Sequence, residues 1–194
     1  MASAPEMTIL VHDDQGDEAL PRGSGFRVLR DPNLREVGQA ANLFVLASAL
    51  HLREVAKAVH LANHSHHLRA LFVREDGDPS WLPQLFNRAT LRTFRNVLVH
   101  SGPELPRRVM NAWRLGAQDQ LIARAGVEND RLRVINCALN DFEIGFEQLP
   151  ALARLPVQER RLFEIAADGS YIHWPASDVH LDLEAIRSAT EPEW

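Results

Sequence analysis

The sequence predicts an α+β protein: an N-terminal arm and a four-helix bundle, followed by a small strand-rich α+β module. Three observations carry this. Apolar residues recur at helical spacing through most of residues 33 to 125, whereas short strand-like apolar runs replace that period after residue 130. Asp168-Gly169 then sits between two such runs, a strong hairpin signal. The implied domains are 1–32 (arm), 33–127 (bundle) and 128–194 (module).

The arm contains two short apolar runs, Thr8-Ile9-Leu10-Val11 and Phe26-Arg27-Val28-Leu29. A polar, Gly-rich link joins them, which suits one or two short strands or a loosely attached segment. After Asp31-Pro32-Asn33, the residues Leu34, Val37, Ala41, Phe44, Val45, Ala47 and Leu50 predict a first helix. A second runs from Leu52 through Val55 and Val59 towards Leu71 and Phe72, broken by Glu75-Asp76-Gly77-Asp78-Pro79. A third leads from Leu82 or Leu85 to His100 and stops at Ser101-Gly102-Pro103, and a fourth covers Leu105 to Ala125. Short connections between such helices predict antiparallel neighbours in a bundle.

In the module, Leu132–Leu139, Phe142–Phe146, Leu162–Ile165 and Tyr171–Trp174 read as strands. Asp182 to Arg187 reads as a closing helix with Asp182 near its N-cap.

Composition narrows function modestly. Net charge is −5, so no global field attracts nucleic acid. Residues 86–116 nevertheless hold six arginines, Arg88, Arg92, Arg95, Arg107, Arg108 and Arg114, against the single acid Glu104, a candidate phosphate-binding face. The plainer reading is a habit of composition, because all basic residues but Lys57 are arginine. There is no run of 18 apolar residues and no basic leader before an apolar stretch, which predicts a cytoplasmic protein. The single Cys137 excludes an internal disulfide and a multi-cysteine zinc site and reads as buried packing.

The sharpest chemical signal is Phe94-Arg95-Asn96-Val97-Leu98-Val99-His100. It pairs a fixed cation with the side chain that titrates near neutrality. This stretch resembles the signature of the HEPN family, helical-bundle ribonucleases of prokaryotic toxin and defence systems. The resemblance implies metal-independent RNA cleavage without a cofactor. His100 would act as acid/base on a 2′-hydroxyl, Arg95 would clamp phosphate, and Asn96 would orient the scissile group. On one helix, positions five apart diverge by about 140°; the family resolves this by dimerisation, so a homodimer with a shared cleft is implied. The structural alternative has His100 capping a helix end and Arg95 solvated.

Two further readings concern residues 52–72. Glu54-Val55-Ala56, Leu61, Ser65 and Arg69 resemble a bacterial helix-turn-helix, which implies a DNA-binding regulator or antitoxin reading the major groove. His60 and His64, four apart, with His66 and His67 nearby, admit a zinc pair, but no carboxylate lies inside the cluster and no metal is expected. Gly169, Ile172, Trp174, Pro175 and Asp178 resemble the closing G-x-x-I-x-W-P-x-x-D signature of a small bacterial domain family of unknown function, which implies a partner-binding or sensing module. Catalysis by His173 or Asp178 is the lesser alternative there, packing the greater.

Overall fold

A computed structural model describes residues 6–31, 33–76 and 78–190. Pro32 and Gly77, used above as part of a helix start and a helix break, lie outside the described residues. The chain divides into two compact units, residues 1–110 and 111–194. No described helix is long and apolar enough to cross a membrane.

The first unit is built on strands β1 (Met7–His12), β2 (Phe26–Leu29), β3 (Asn42–Ser48), β4 (Leu68–Arg74) and β5 (Val97–His100). They form one parallel sheet in the order β2-β1-β3-β4-β5. Parallel neighbours need crossover connections. Helices α1 (Leu34–Gln39), α2 (Leu52–His64) and α3 (Leu82–Arg88) supply three of them, and α4 (Glu104–Leu115) follows β5 and runs across the division between the units.

Alternation along the strands sorts the core. Leu10, Val45, Leu71 and Val73 point to the face packed by Val37 of α1, Val55 and Val59 of α2, and Leu85 and Phe86 of α3. Ile9, Phe44, Leu46, Phe72 and Leu98, of the opposite parity, are buried on the other face, where Phe44 and Phe72 stack at 6.4 Å. Every residue of β3 is therefore buried.

This overturns the N-terminal arm and the four-helix bundle. Each expected helix is a short helix plus a strand, or a strand plus its approach. The first is α1 then β3, the second α2 then β4, and the third α3 then β5. The fourth is α4 followed by the start of strand β6 (Ile122–Glu128). The cause is burial on both faces. A parallel strand covered on each side carries a continuous apolar run, and Leu43-Phe44-Val45-Leu46-Ala47 extends a helical pattern without a visible break. The two runs of the expected arm are β1 and β2, and β1 is interior, paired on both sides.

The second unit holds two antiparallel three-stranded sheets. One is β6, β7 (Arg131–Asn136) and β8 (Asp141–Gly145). The other, beyond α5 (Pro150–Ala153), is β9 (Glu164–Ile165), β10 (Tyr171–Trp174) and β11 (Val179–Asp182), closed by α6 (Leu183–Thr190). Asn129 and Asp130, at φ 49° and 60°, make the two-residue turn between β6 and β7. Trp174 is buried with Ile144, Phe146, Ile172 and Ile186, and its indole N–H donates to the Arg160 carbonyl at 3.1 Å. Asp182 caps α6 by accepting from the Ala185 N–H at 2.8 Å. Cys137 is buried. The second compact unit, residues 111–194, thus carries two small antiparallel sheets and a closing helix.

Candidate functional site

Parallel strands deliver their carboxyl ends to one edge of the sheet. In the order 2-1-3-4-5 the chain leaves β1 for the neighbour on one side and β3 for the neighbour on the other, and a crevice opens where the winding reverses. A crevice of about 420 Å³ lies there, lined by Val11, His12, Asp13, Asp14, Asp17, Arg30, His51 and Glu54. All of these follow or end β1 and β2, or enter α2 after β3.

His12 Nε2 and Glu54 Oε2 are 2.7 Å apart. That hydrogen bond holds the Glu54 carboxyl below its ordinary value, against a smaller opposing effect of desolvation, with His51 assisting. The His51 ring meets His12 edge-on at 5.9 Å, and its Nδ1 lies 3.3 Å from Ser48 Oγ. Asp17 pairs with Arg30 at 2.9 Å on the rim.

Beneath this rim is a buried ion pair. Arg74, at the end of β4, donates through Nε and Nη2 to both Asp13 oxygens at 2.7–3.0 Å and also pairs with Asp76. The Asp13 side chain is 3% exposed and that of Arg74 17%. Burial alone would raise the Asp13 pKa; the hydrogen bonds from Arg74 and from the Gln15 N–H outweigh it and hold the carboxyl below its usual value. Gly16 permits the turn after β1 to close on the sheet, since a Cβ there would stand 2.7 Å from Val11 Cγ1.

His100 ends β5 beside this pair, lining a cavity of about 30 Å³ with Asp13, Arg74 and Gly102. Its Nδ1 lies 2.8 Å from the Gly102 carbonyl. A carbonyl only accepts, so Nδ1 carries the proton and Nε2 is a bare acceptor, buried without a partner. Burial pushes the imidazole pKa down, opposed by Gly102 and Asp13.

The residues singled out by sequence separate. Arg95 is exposed on the loop entering β5, Asn96 Nδ2 donates to the Leu68 carbonyl at 3.0 Å, and His100 stands at the far end of the strand. Asn96 and three strand residues at about 3.3 Å each divide Arg95 from His100, so the two are not brought together within one chain. Arg88 and Arg92 are exposed with Arg95 at the amino edge of the sheet, opposite the crevice. Arg107 donates to the Glu18 carbonyl, Arg108 is half-buried, and the Nε of half-buried Arg114 is buried without a partner.

The second helix of the helix-turn-helix reading is strand β4, which contains Arg69. Among the described residues, His60, His64, His66 and His67 do not converge to metal-ligand spacing; His60 Nε2 lies 2.8 Å from Thr90 Oγ1, and His66 takes the left-handed position that ends α2. That spacing occurs instead at His173, Asp178 and His180.

Sequence reasoning missed His12, Asp13, His51, Glu54 and Arg74. A signal existed: Val11-His12-Asp13-Asp14, Val73-Arg74-Glu75-Asp76 and Val99-His100-Ser101 each end an apolar run in a polar tip, as strands that deliver side chains to one edge would. No family model, curated protein or solved structure matches the chain, and the functional reading rests on this geometry.

Proposed function

We propose that the parallel-sheet unit is a binding domain for a small polar ligand that carries a cationic or hydrogen-bond-donating group. The carrying observation is the crevice at the reversal between β1 and β3, whose size falls within the usual 300–1,000 Å³ of small-ligand sites. Its charged lining is acidic in excess: Asp13 is committed to Arg74, Asp17 faces Arg30 and Glu54 Oε2 meets His12, which leaves Asp14 and the other Glu54 oxygen for the ligand. His12, whose Nε2–H donates to the Glu54 carboxylate, and His51, held near Ser48 Oγ, add further polar ring nitrogens to the lining. Ser48 is 2% exposed, too buried to act as a nucleophile, which favours binding over covalent catalysis.

The test is a thermal-shift and NMR titration of the whole protein with small amines, polyamines, amino acids and nucleotides. Cationic ligands are expected to raise the melting temperature and to move the amide signals of residues 12–17 and 51–54. Glu54→Gln and Asp14→Asn should remove both effects. Signal changes confined elsewhere, or preference for anionic ligands, would overturn the reading.

The ribonuclease and DNA-regulator readings are rival outcomes of the same campaign. RNA cleavage in EDTA that is lost in the exposed variant Arg95→Ala, with the fold intact, would move the function to the Arg95–His100 segment. It would also require the homodimer that the resemblance implies, visible as mass in solution. A salt-dependent shift of duplex DNA weakened by Arg69→Ala would favour the regulator. A cytoplasmic setting belongs to the same proposal, with cell fractionation as its test.

A further inference from the structure

The second unit carries a separate cluster. β10 and β11 pair antiparallel with His173 directly opposite His180, and facing residues of such a pair hold their Cβ atoms about 4.5–5.5 Å apart. The two imidazoles stack at 4.1 Å with planes 13° apart. Asp178, in the turn between the strands at φ 49°, brings Oδ1 to 3.9 Å from His173 Nε2 and 4.0 Å from His180 Nδ1. One ligand atom from each of the three residues lies within 4.8 Å of the other two. Glu164 stands opposite His173 on β9, so Glu164, His173 and His180 form one row across a single face of the sheet.

One atom in this group is anomalous. His173 Nε2 is buried from solvent and has no hydrogen-bond partner. Asp178 lies beyond hydrogen-bond distance of it. A buried polar atom without a partner destabilises the fold unless something satisfies it, and here the atom faces a second imidazole and a carboxylate.

We propose that the β10–β11 hairpin binds one transition-metal dication, Zn²⁺ or Cu²⁺ in class, through His173, His180 and Asp178. The donor set decides the class: imidazole suits zinc, copper and nickel, whereas magnesium and calcium take oxygen ligands. Bonds of about 2.0–2.1 Å in a tetrahedral site set ligand atoms about 3.3 Å apart. Closing from the observed spacing takes side-chain rotations, which the half-exposed His180 and the exposed Asp178 are able to make. The fourth position is left to water. This departs from the metal-free protein that the sequence led us to expect, and it is independent of the crevice in the first unit.

The experiment uses the full chain stripped of metal and titrated with Zn²⁺ in competition with a chromophoric chelator. Wild type should bind one Zn²⁺ per chain, with Mg²⁺ unable to compete. His180→Gln and Asp178→Asn, both at accessible positions, should each weaken binding by more than the roughly 10–100-fold that loss of an outer-shell partner costs. His64→Gln, in the other histidine cluster, should leave it unchanged. Absence of Zn²⁺ binding in wild type, or equal binding in His180→Gln with circular dichroism unaltered, would overturn the proposal, as would loss of the site in His64→Gln.

Discussion

At the scale of single residues, the Asp13–Arg74 pair concentrates the electrostatics of the first unit. Taking both groups out of water is costly, and two shared oxygens, a second acid and a backbone donor offset that cost. Removing one partner strands the other. Arg74→Met, which keeps most of the packing, should destabilise the protein by about 3 kcal/mol, the lower end for leaving one charge of a buried pair uncompensated; urea denaturation measures it.

His100 makes a second residue-scale prediction. Its folded-state pKa lies below the unfolded value because burial disfavours the imidazolium, so on acidification the unfolded chain takes up its proton first. Stability should therefore fall as pH drops below the ordinary histidine value of about 6.5 and continue to fall until the folded-state pKa is passed. Asp13 acts lower down. Its depressed pKa contributes stability above about pH 4, lost as pH falls further. Urea midpoints between pH 8 and 5 should decline in wild type and flatten in His100→Asn, which retains a donor for the Gly102 carbonyl. An equal slope in both would remove His100 as the cause.

At the scale of elements, β1 decides what the N-terminal segment is. Leu10 is fully buried and pairs with Leu29 on one side and Val45 on the other. Leu10→Ala should cost about 2–5 kcal/mol, the range for truncating a buried leucine, whereas in a loosely attached arm it would cost little. Chemical denaturation distinguishes the two. The α2–β4 turn carries a related lesson. His66 at φ 58° and the His67 N–H donating to the Ala62 carbonyl at 2.9 Å form a helix-terminating motif. The histidines that invited a metal reading are partly there to end a helix.

At the scale of the whole molecule, the site is a consequence of strand order. Residues 12–14, 48–54, 74–76 and 100–102 are far apart in sequence and meet because four parallel strands end at one edge. Arg88, Arg92 and Arg95 lie at the other edge, where α3 returns the chain to the start of β5. Replacing all three by alanine should therefore leave ligand affinity at the crevice within about twofold, the tolerance for distant, unshared sites; calorimetric titration with a ligand found in the screen checks it.

Local chemistry was legible wherever it acts over a few residues. The Asp168-Gly169 turn, the Tyr171–Trp174 strand, the Asp182 cap and the helical stretch from Leu52 could be read directly, because turn geometry, two-residue alternation and capping bonds close within the segment itself. Which apolar runs became strands could not. Leu43 to Ala47 and Leu68 to Val73 satisfy a helical pattern as well as a buried strand, and only the covering of both sheet faces selects the strand. The crevice lay further still from view, since no local rule joins Asp13 to Arg74 across 61 residues. The sequence by itself determined the turns, the caps and the strand-rich second half. Tertiary structure alone decided the parallel sheet and the edge at which His12, Asp13, Arg74 and His100 gather, because pairing between distant strands depends on burial that no short segment achieves by itself.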